Sequence, residues 1–186
     1  LNFEDIATKL INCLTYVSMK KNVTLIGMPG AGKSTTGIIL AKNLSMGYLD
    51  SDILIQINRG KSLQDILDES DYLNLRKIEE EEILKINISG NVIATGGSAV
   101  YSEKAMKHLQ EISTIVFLHV DFDEIRRRIY NFETRGIAKA ENQSFMDLFK
   151  EREALYELFA DITVDAASVT QDQAAAIISE KIKDLS

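Results

Sequence analysis

An α/β fold, a five-stranded parallel sheet with helices on both faces, is predicted by the order of two patterns along the 186-residue chain. Short apolar runs, the length of buried strands, alternate with longer segments of helical periodicity. Consecutive parallel strands need a crossover, which a helix supplies, so the alternation itself implies helix layers on both faces. The third observation is the stretch Gly27-Met28-Pro29-Gly30-Ala31-Gly32-Lys33-Ser34, whose G-x-x-x-x-G-K-[ST] spacing belongs between a strand and a helix. Such sheets bind ligands beyond the carboxyl ends of their strands.

In chain order, residues 1–18 (LNFEDIATKLINCLTYVS) read as an amphipathic helix, lacking the basic start and small-residue cleavage site of a signal peptide. Met19-Lys20-Lys21 precede the first strand, so 1–18 are expected to be a helical extension and 19–186 a single domain. The five strands are Val23 to Ile26, Gly47 to Leu49, Val92 to Ala94, Ile115 to Leu118 and Ile162 to Val164. Helices are expected near 33–44, 52–58, 62–68, 72–87, 102–110, 122–131, 144–159 and 171–184. Ser51 or Asp52 has the chemistry to cap the second helix, and Glu80, Glu81 and Glu82 read as a solvated face. His119 closes an apolar strand, His108 lies on a helix surface, and Arg126 and Arg127 read as solvated. The polar, irregular segment of about 133–144 has the length and composition of a lid.

Composition bounds the function. With 21 Lys and Arg against 28 Asp and Glu, the formal charge is -7 and the sequence pI about 4.9, so a phosphate site must be built from local basic groups and nucleic acid is not an expected partner. No apolar run approaches the ~18 residues of a membrane span, so no membrane is expected. The single Cys13 forms no internal disulfide, which fits a cytoplasmic location.

The phosphate loop predicts a nucleoside triphosphate. Glycines let the backbone curl so that N–H groups of Gly30, Ala31, Gly32, Lys33, Ser34 and Thr35 converge, the following helix points its positive end at the anion, and Lys33 adds a full charge. Ser34 is placed to ligate Mg2+, while Pro29 shapes the loop and donates nothing. The loop alone does not say whether water, a protein or a small molecule receives the phosphoryl group.

Three further groups point to an acceptor. Asp50 and Asp52 stand two apart after the second strand, where one carboxylate can hold the metal through water and the other can orient or deprotonate a hydroxyl. Arg76 and Glu79, three apart on a helix, share a face, and the carboxylate could clamp the guanidinium for use on an anion. Thr95-Gly96-Gly97-Ser98 follows the third strand, where glycines allow close approach of a bound group.

Together and in this order, with the lid Arg135 and the run Arg152-Glu153-Ala154-Leu155-Tyr156 before Ala160-Asp161, these residues resemble the shikimate kinase family, P-loop kinases of the nucleoside-monophosphate-kinase-like group. The resemblance covers about residues 20–170. It implies a P-loop kinase fold with a lid, ATP and Mg2+ as cofactors, a small-molecule acceptor, a monomer and a place in aromatic amino acid biosynthesis. It further implies that Lys33 and Ser34 hold phosphates and metal, with Asp50 in the metal's outer shell. Asp52 would contact the acceptor hydroxyls as base, and Arg76, Gly96, Gly97 and Arg152 would bind the acceptor. Arg135 would close over the transferring group and Arg128 would stack on adenine.

Four departures from the family pattern bear on the acceptor. Ser98 replaces a third glycine and adds a hydroxyl that could bond a different acceptor group, and Arg135-Gly136-Ile137-Ala138 replaces Arg-Pro-Leu-Leu in the lid. Asp71-Tyr72 and Leu75 stand where Gly-Glu and Phe are common, and Leu67 where another Phe is typical. Fewer aromatic walls reshape a pocket for a cyclohexene ring, which leaves open homoserine or a sugar acid as acceptor, or a nucleotide-binding module without turnover.

Overall fold

The computed structural model describes residues 22–129, 137–140 and 143–184. The expected extension over 1–18 and the lid residue Arg135 lie outside the described residues. The sheet contains β1 (Asn22–Ile26), β2 (Gly47–Asp50), β3 (Asn91–Ala94), β4 (Ser113–His119) and β5 (Ile162–Asp165), in the order β2-β3-β1-β4-β5, all parallel. Around it run α1 (Lys33–Leu44), α2 (Ser51–Arg59), α3 (Leu63–Glu69), α4 (Tyr72–Ile83), α5 (Glu103–Ile112), α6 (Phe122–Arg128), α7 (Phe145–Phe159) and α8 (Gln171–Asp184).

β1 is central and wholly buried, although it contains Asn22 and Thr24. Both polar side chains are satisfied within the protein, as burial requires. Asn22 Nδ2 donates to the carbonyls of Ile88 (2.8 Å) and Ile112 (3.0 Å), its Oδ1 accepts from Asn91 N, and Thr24 shares a 2.7 Å hydroxyl contact with Ser113. Register then sets the site: Leu25 and Asp50 both stand opposite Ala94, from β1 and β2 on either side of β3. The loops leaving β1, β2 and β3 therefore emerge together.

Hydrophobic residues form two clusters. The main core joins the sheet to α1, α5, α7 and α8. A smaller one joins Ile55, Ile66, Leu75 and Ile78 of α2, α3 and α4 to Ala138, with Leu63, Leu67 and Tyr72 packed against it. Full burial of a side chain such as Leu75 contributes about 2 kcal/mol, which holds these three short helices over the mouth of the sheet.

Three local expectations need correction. The helix predicted to reach residue 87 ends at Ile83. Lys85 and Ile86 make tighter bonds to the carbonyls of Glu82 and Ile83, and the turn drops Ile86 into the main core. The N-cap of α2 is neither Ser51 nor Asp52 but Asp50, whose Oδ1 accepts from Asp52 N at 3.0 Å. Of the glutamates read as solvated, Glu82 is buried among Asn58, Arg59 and Lys85, and Glu80 accepts from Ser102.

Candidate active site

The phosphate loop joins β1 to α1. Gly30 and Gly32 occupy left-handed conformations, φ 83° and 97°, and a Cβ on Gly30 would lie 2.8 Å from Ile129 Cγ1. No side chain caps α1, so its first amides stay available to an anion. Lys33 is buried, and its Nζ donates to the carbonyls of Gly27 (2.7 Å) and Met28 (3.0 Å). Burial pushes its pKa down to about 8, against the opposing pull of Asp52 and Asp50.

The two aspartates divide. Asp50 Oδ2 accepts from Ser34 Oγ at 2.8 Å and from Tyr48, while its Oδ1 caps α2. Ser34 thus offers one hydroxyl ligand and Asp50 a carboxylate behind it, which fit a Mg2+ that would take its remaining ligands from phosphate and water, Asp50 acting through water. Among the described residues no group of three or more His, Cys, Asp or Glu could hold a metal unaided. Asp52 instead lines a cavity of about 340 Å3 with Lys33, Glu79, Gly96, Gly97 and Arg152. Burial and the neighbouring Asp50 charge push its pKa up to about 6, opposed by Lys33 and Arg152.

The segment after β3 is held from below and from the side. Ser51 Oγ accepts from Gly96 N at 3.0 Å, and Tyr156 donates to the Gly97 carbonyl at 2.6 Å. Both glycines are required by close approach: a Cβ on Gly96 would collide with Glu79 Oε1 and lie 2.5 Å from Asp52 Oδ1, and one on Gly97 would lie 2.9 Å from Arg152 Nη1. Arg152, on α7, is 1% exposed, yet among the described residues it pairs with no carboxylate. Its Nη2 donates to the Ala138 carbonyl at 2.7 Å and its Nε has no partner. A buried guanidinium left with donor capacity is a site for an anion.

The predicted clamp between Arg76 and Glu79 is not formed. Glu79, buried, accepts from Ser98 Oγ through Oε2, and its Oε1 is left without a hydrogen bond on the side of Gly96. Burial and the Asp52 charge push its pKa up. The Arg76 guanidinium lies instead 3.5 Å from the ring centroid of Tyr101, with Tyr72 at 5.0 Å. The Ser98 hydroxyl is therefore spent inside the protein, not on a different acceptor group as its chemistry allowed.

A family model described as shikimate kinase matches residues 29–183. The chain belongs to the shikimate kinase family. It is 34% identical over 164 residues to a shikimate kinase of Sulfurihydrogenibium sp., covering 88% of this chain and 98% of the relative. With a shikimate kinase of Haemophilus influenzae it shares 36% over 170 residues, covering 89% and 92%. The solved shikimate kinase from Acinetobacter baumannii in complex with shikimate superposes with a TM-score of 0.82 at 28% identity, covering 89% of this chain and 94% of that one.

For a shikimate kinase family member, most of the expected site residues converge. Gly30, Gly32, Lys33, Ser34 and Thr35 line the cavity and Ala31 is buried beneath it; Arg128 lines it beside Gly30, held by Glu124 at 2.6 Å and by the Ala166 carbonyl. Arg76 does not line the cavity but lies on the ring of Tyr101 behind it. Leu75 supplies an aliphatic wall, while Leu67 packs in the small cluster. Three contributors went unpredicted: Ser51, Tyr156 and Tyr101. Tyr156 stands at the end of the Arg152–Tyr156 run and Ser51 between the paired aspartates, yet neither had a site role in the sequence, because each of the three acts through a partner more than 20 residues away.

Proposed function

We infer that this protein transfers the γ-phosphoryl group of ATP to a hydroxyl of shikimate, giving shikimate 3-phosphate. One observation carries the reading: a single cavity holds a phosphate-loop lysine, a carboxylate with a raised pKa and a buried arginine that has no carboxylate partner among the described residues and a free Nε. A carboxylated alcohol needs all three, whereas ATP hydrolysis needs no buried arginine opposite the phosphate loop.

The residue roles follow from chemistry. Ser34 and Asp50 would hold Mg2+, which when bound neutralises phosphate charge and orients the transferring group. Lys33 places a full positive charge at the phosphates without water to screen it. Asp52, with a pKa near 6, is ionised at neutral pH yet basic enough to take the acceptor hydroxyl's proton. Arg152 and Gly97 are assigned to the acceptor carboxylate, and Arg128 to the adenine ring. Arg135 keeps its assignment to the transferring phosphoryl group on the motif alone. We extend the reading to a cytoplasmic monomer acting on a small molecule and not on nucleic acid, supported by the charge of -7 and by the lack, among the described residues, of a helix able to cross a membrane.

The product tests this directly. Phosphorus NMR of protein with Mg2+, ATP and shikimate is expected to show a new phosphomonoester and ADP; inorganic phosphate in its place would contradict the assignment. The pH dependence is fixed in sign by two groups. Asp52 works deprotonated and Lys33 works protonated, so kcat/KM for MgATP, which reports the ATP-free enzyme, should fall through about pH 8 as Lys33 loses its proton, and turnover should fall on the acid side of about pH 6 as Asp52 gains one. A profile flat from pH 5 to 9 would remove both groups from the chemistry.

A further inference from the structure

The Glu79 carboxylate, one turn from Arg76 on α4, is the natural partner for that guanidinium, and in this protein it is engaged elsewhere. Ser98, the residue that departs from the family's triple glycine, donates to Glu79 Oε2, while Oε1 faces Gly96 and the Asp52 side of the cavity. Arg76 is then a half-buried cation with no carboxylate in salt-bridge contact among the described residues, Glu151 acting on it only from longer range. The ring of Tyr101 takes that place, with the guanidinium carbon 3.5 Å from its centroid, close enough for a strong cation–π contact. Arg152 approaches the same ring at 5.5 Å. The Tyr101 ring thus has both guanidinium groups within 5.5 Å of its centroid, and the Nε of each has no hydrogen-bond partner among the described residues. Arg152 lines the cavity and Arg76 adds positive charge behind it, an arrangement that suits an acceptor carboxylate.

We propose that Tyr101 is a positioning residue for the acceptor carboxylate: its ring holds the Arg76 guanidinium beside Arg152, replacing the Glu79 ion pair that the Ser98 hydroxyl prevents. The proposal rests on the reading of the acceptor as shikimate. Ser98 and Tyr101 then form a linked pair, one withdrawing the carboxylate and the other supplying the aromatic face.

The test is calorimetric titration of shikimate into the protein with Mg2+ and ADP present, with ADP affinity as the control for folding. Tyr101→Leu is expected to weaken shikimate binding about tenfold and to leave ADP binding within about twofold, and Tyr101→Phe, which keeps the ring, is expected to restore it to within about twofold. In a Ser98→Gly background Glu79 is freed to pair with Arg76, so Tyr101→Leu should cost only about threefold. Equal weakening by Tyr101→Phe and Tyr101→Leu would overturn the role of the ring. So would equal loss of ADP and shikimate affinity, or the same Tyr101→Leu loss in both backgrounds. A wild-type protein that binds ADP but no shikimate would contradict the functional reading itself, and this proposal with it; wild-type binding retained by Tyr101→Leu would contradict the proposal alone.

Discussion

Lys33→Ala is expected to lower kcat by a factor on the order of 10³ while the protein stays folded. The side chain is buried at the phosphate loop, so its charge acts on the transferring group with little screening. Its structural work is smaller: two hydrogen bonds to the carbonyls of Gly27 and Met28, worth about 1 kcal/mol each net. Thermal unfolding followed by circular dichroism, set beside ADP release, separates the two effects. Turnover within a few-fold of wild type would remove Lys33 from the phosphate site.

Arg152→Ala is expected to raise KM for shikimate roughly 100-fold and to change KM for ATP far less, because removing one side of a buried charge pair costs about 2–5 kcal/mol. The residue is fully buried and fixed by the Ala138 carbonyl, so truncation also leaves a cavity. Arg152→Lys keeps the charge and most of the stem but loses the planar fork, and should raise KM for shikimate about tenfold in a protein of near wild-type stability. Steady-state kinetics with each substrate varied in turn checks both. Equal changes in the two KM values would mean that Arg152 supports the loop architecture and not the acceptor.

The strands were legible because buried parallel strands are short apolar runs, and their ends were blurred only where polar residues complete them. Asn22 belongs to β1 because two distant carbonyls, of Ile88 and Ile112, satisfy its amide, and no local pattern reports such partners. Asp50 and His119 likewise extend β2 and β4 past their apolar residues. That the phosphate loop, Asp52, Gly96, Gly97 and Arg152 line one cavity was legible because motif spacing fixes backbone shape, and the sheet register then brings the strand ends together. The handling of Arg76 was not. Spacing of three put Glu79 on the same helical face, but it did not reveal that a hydroxyl 19 residues further on would take that carboxylate. Likewise α4 stops at Ile83 because tertiary burial of Ile86 outweighs helical propensity in a segment whose composition favours continuation.

The central claim is that Arg152, Asp52 and Lys33 around one cavity serve a carboxylated alcohol, shikimate, with Leu75 as an aliphatic wall where an aromatic residue is common. A coupled ADP-release assay with Mg2+ and ATP, run with shikimate, homoserine, gluconate, glycerate and no acceptor, tests it most directly. Strong stimulation by shikimate alone is the predicted result. Stimulation by another acid instead, or the same ADP release with and without any acceptor, would contradict it.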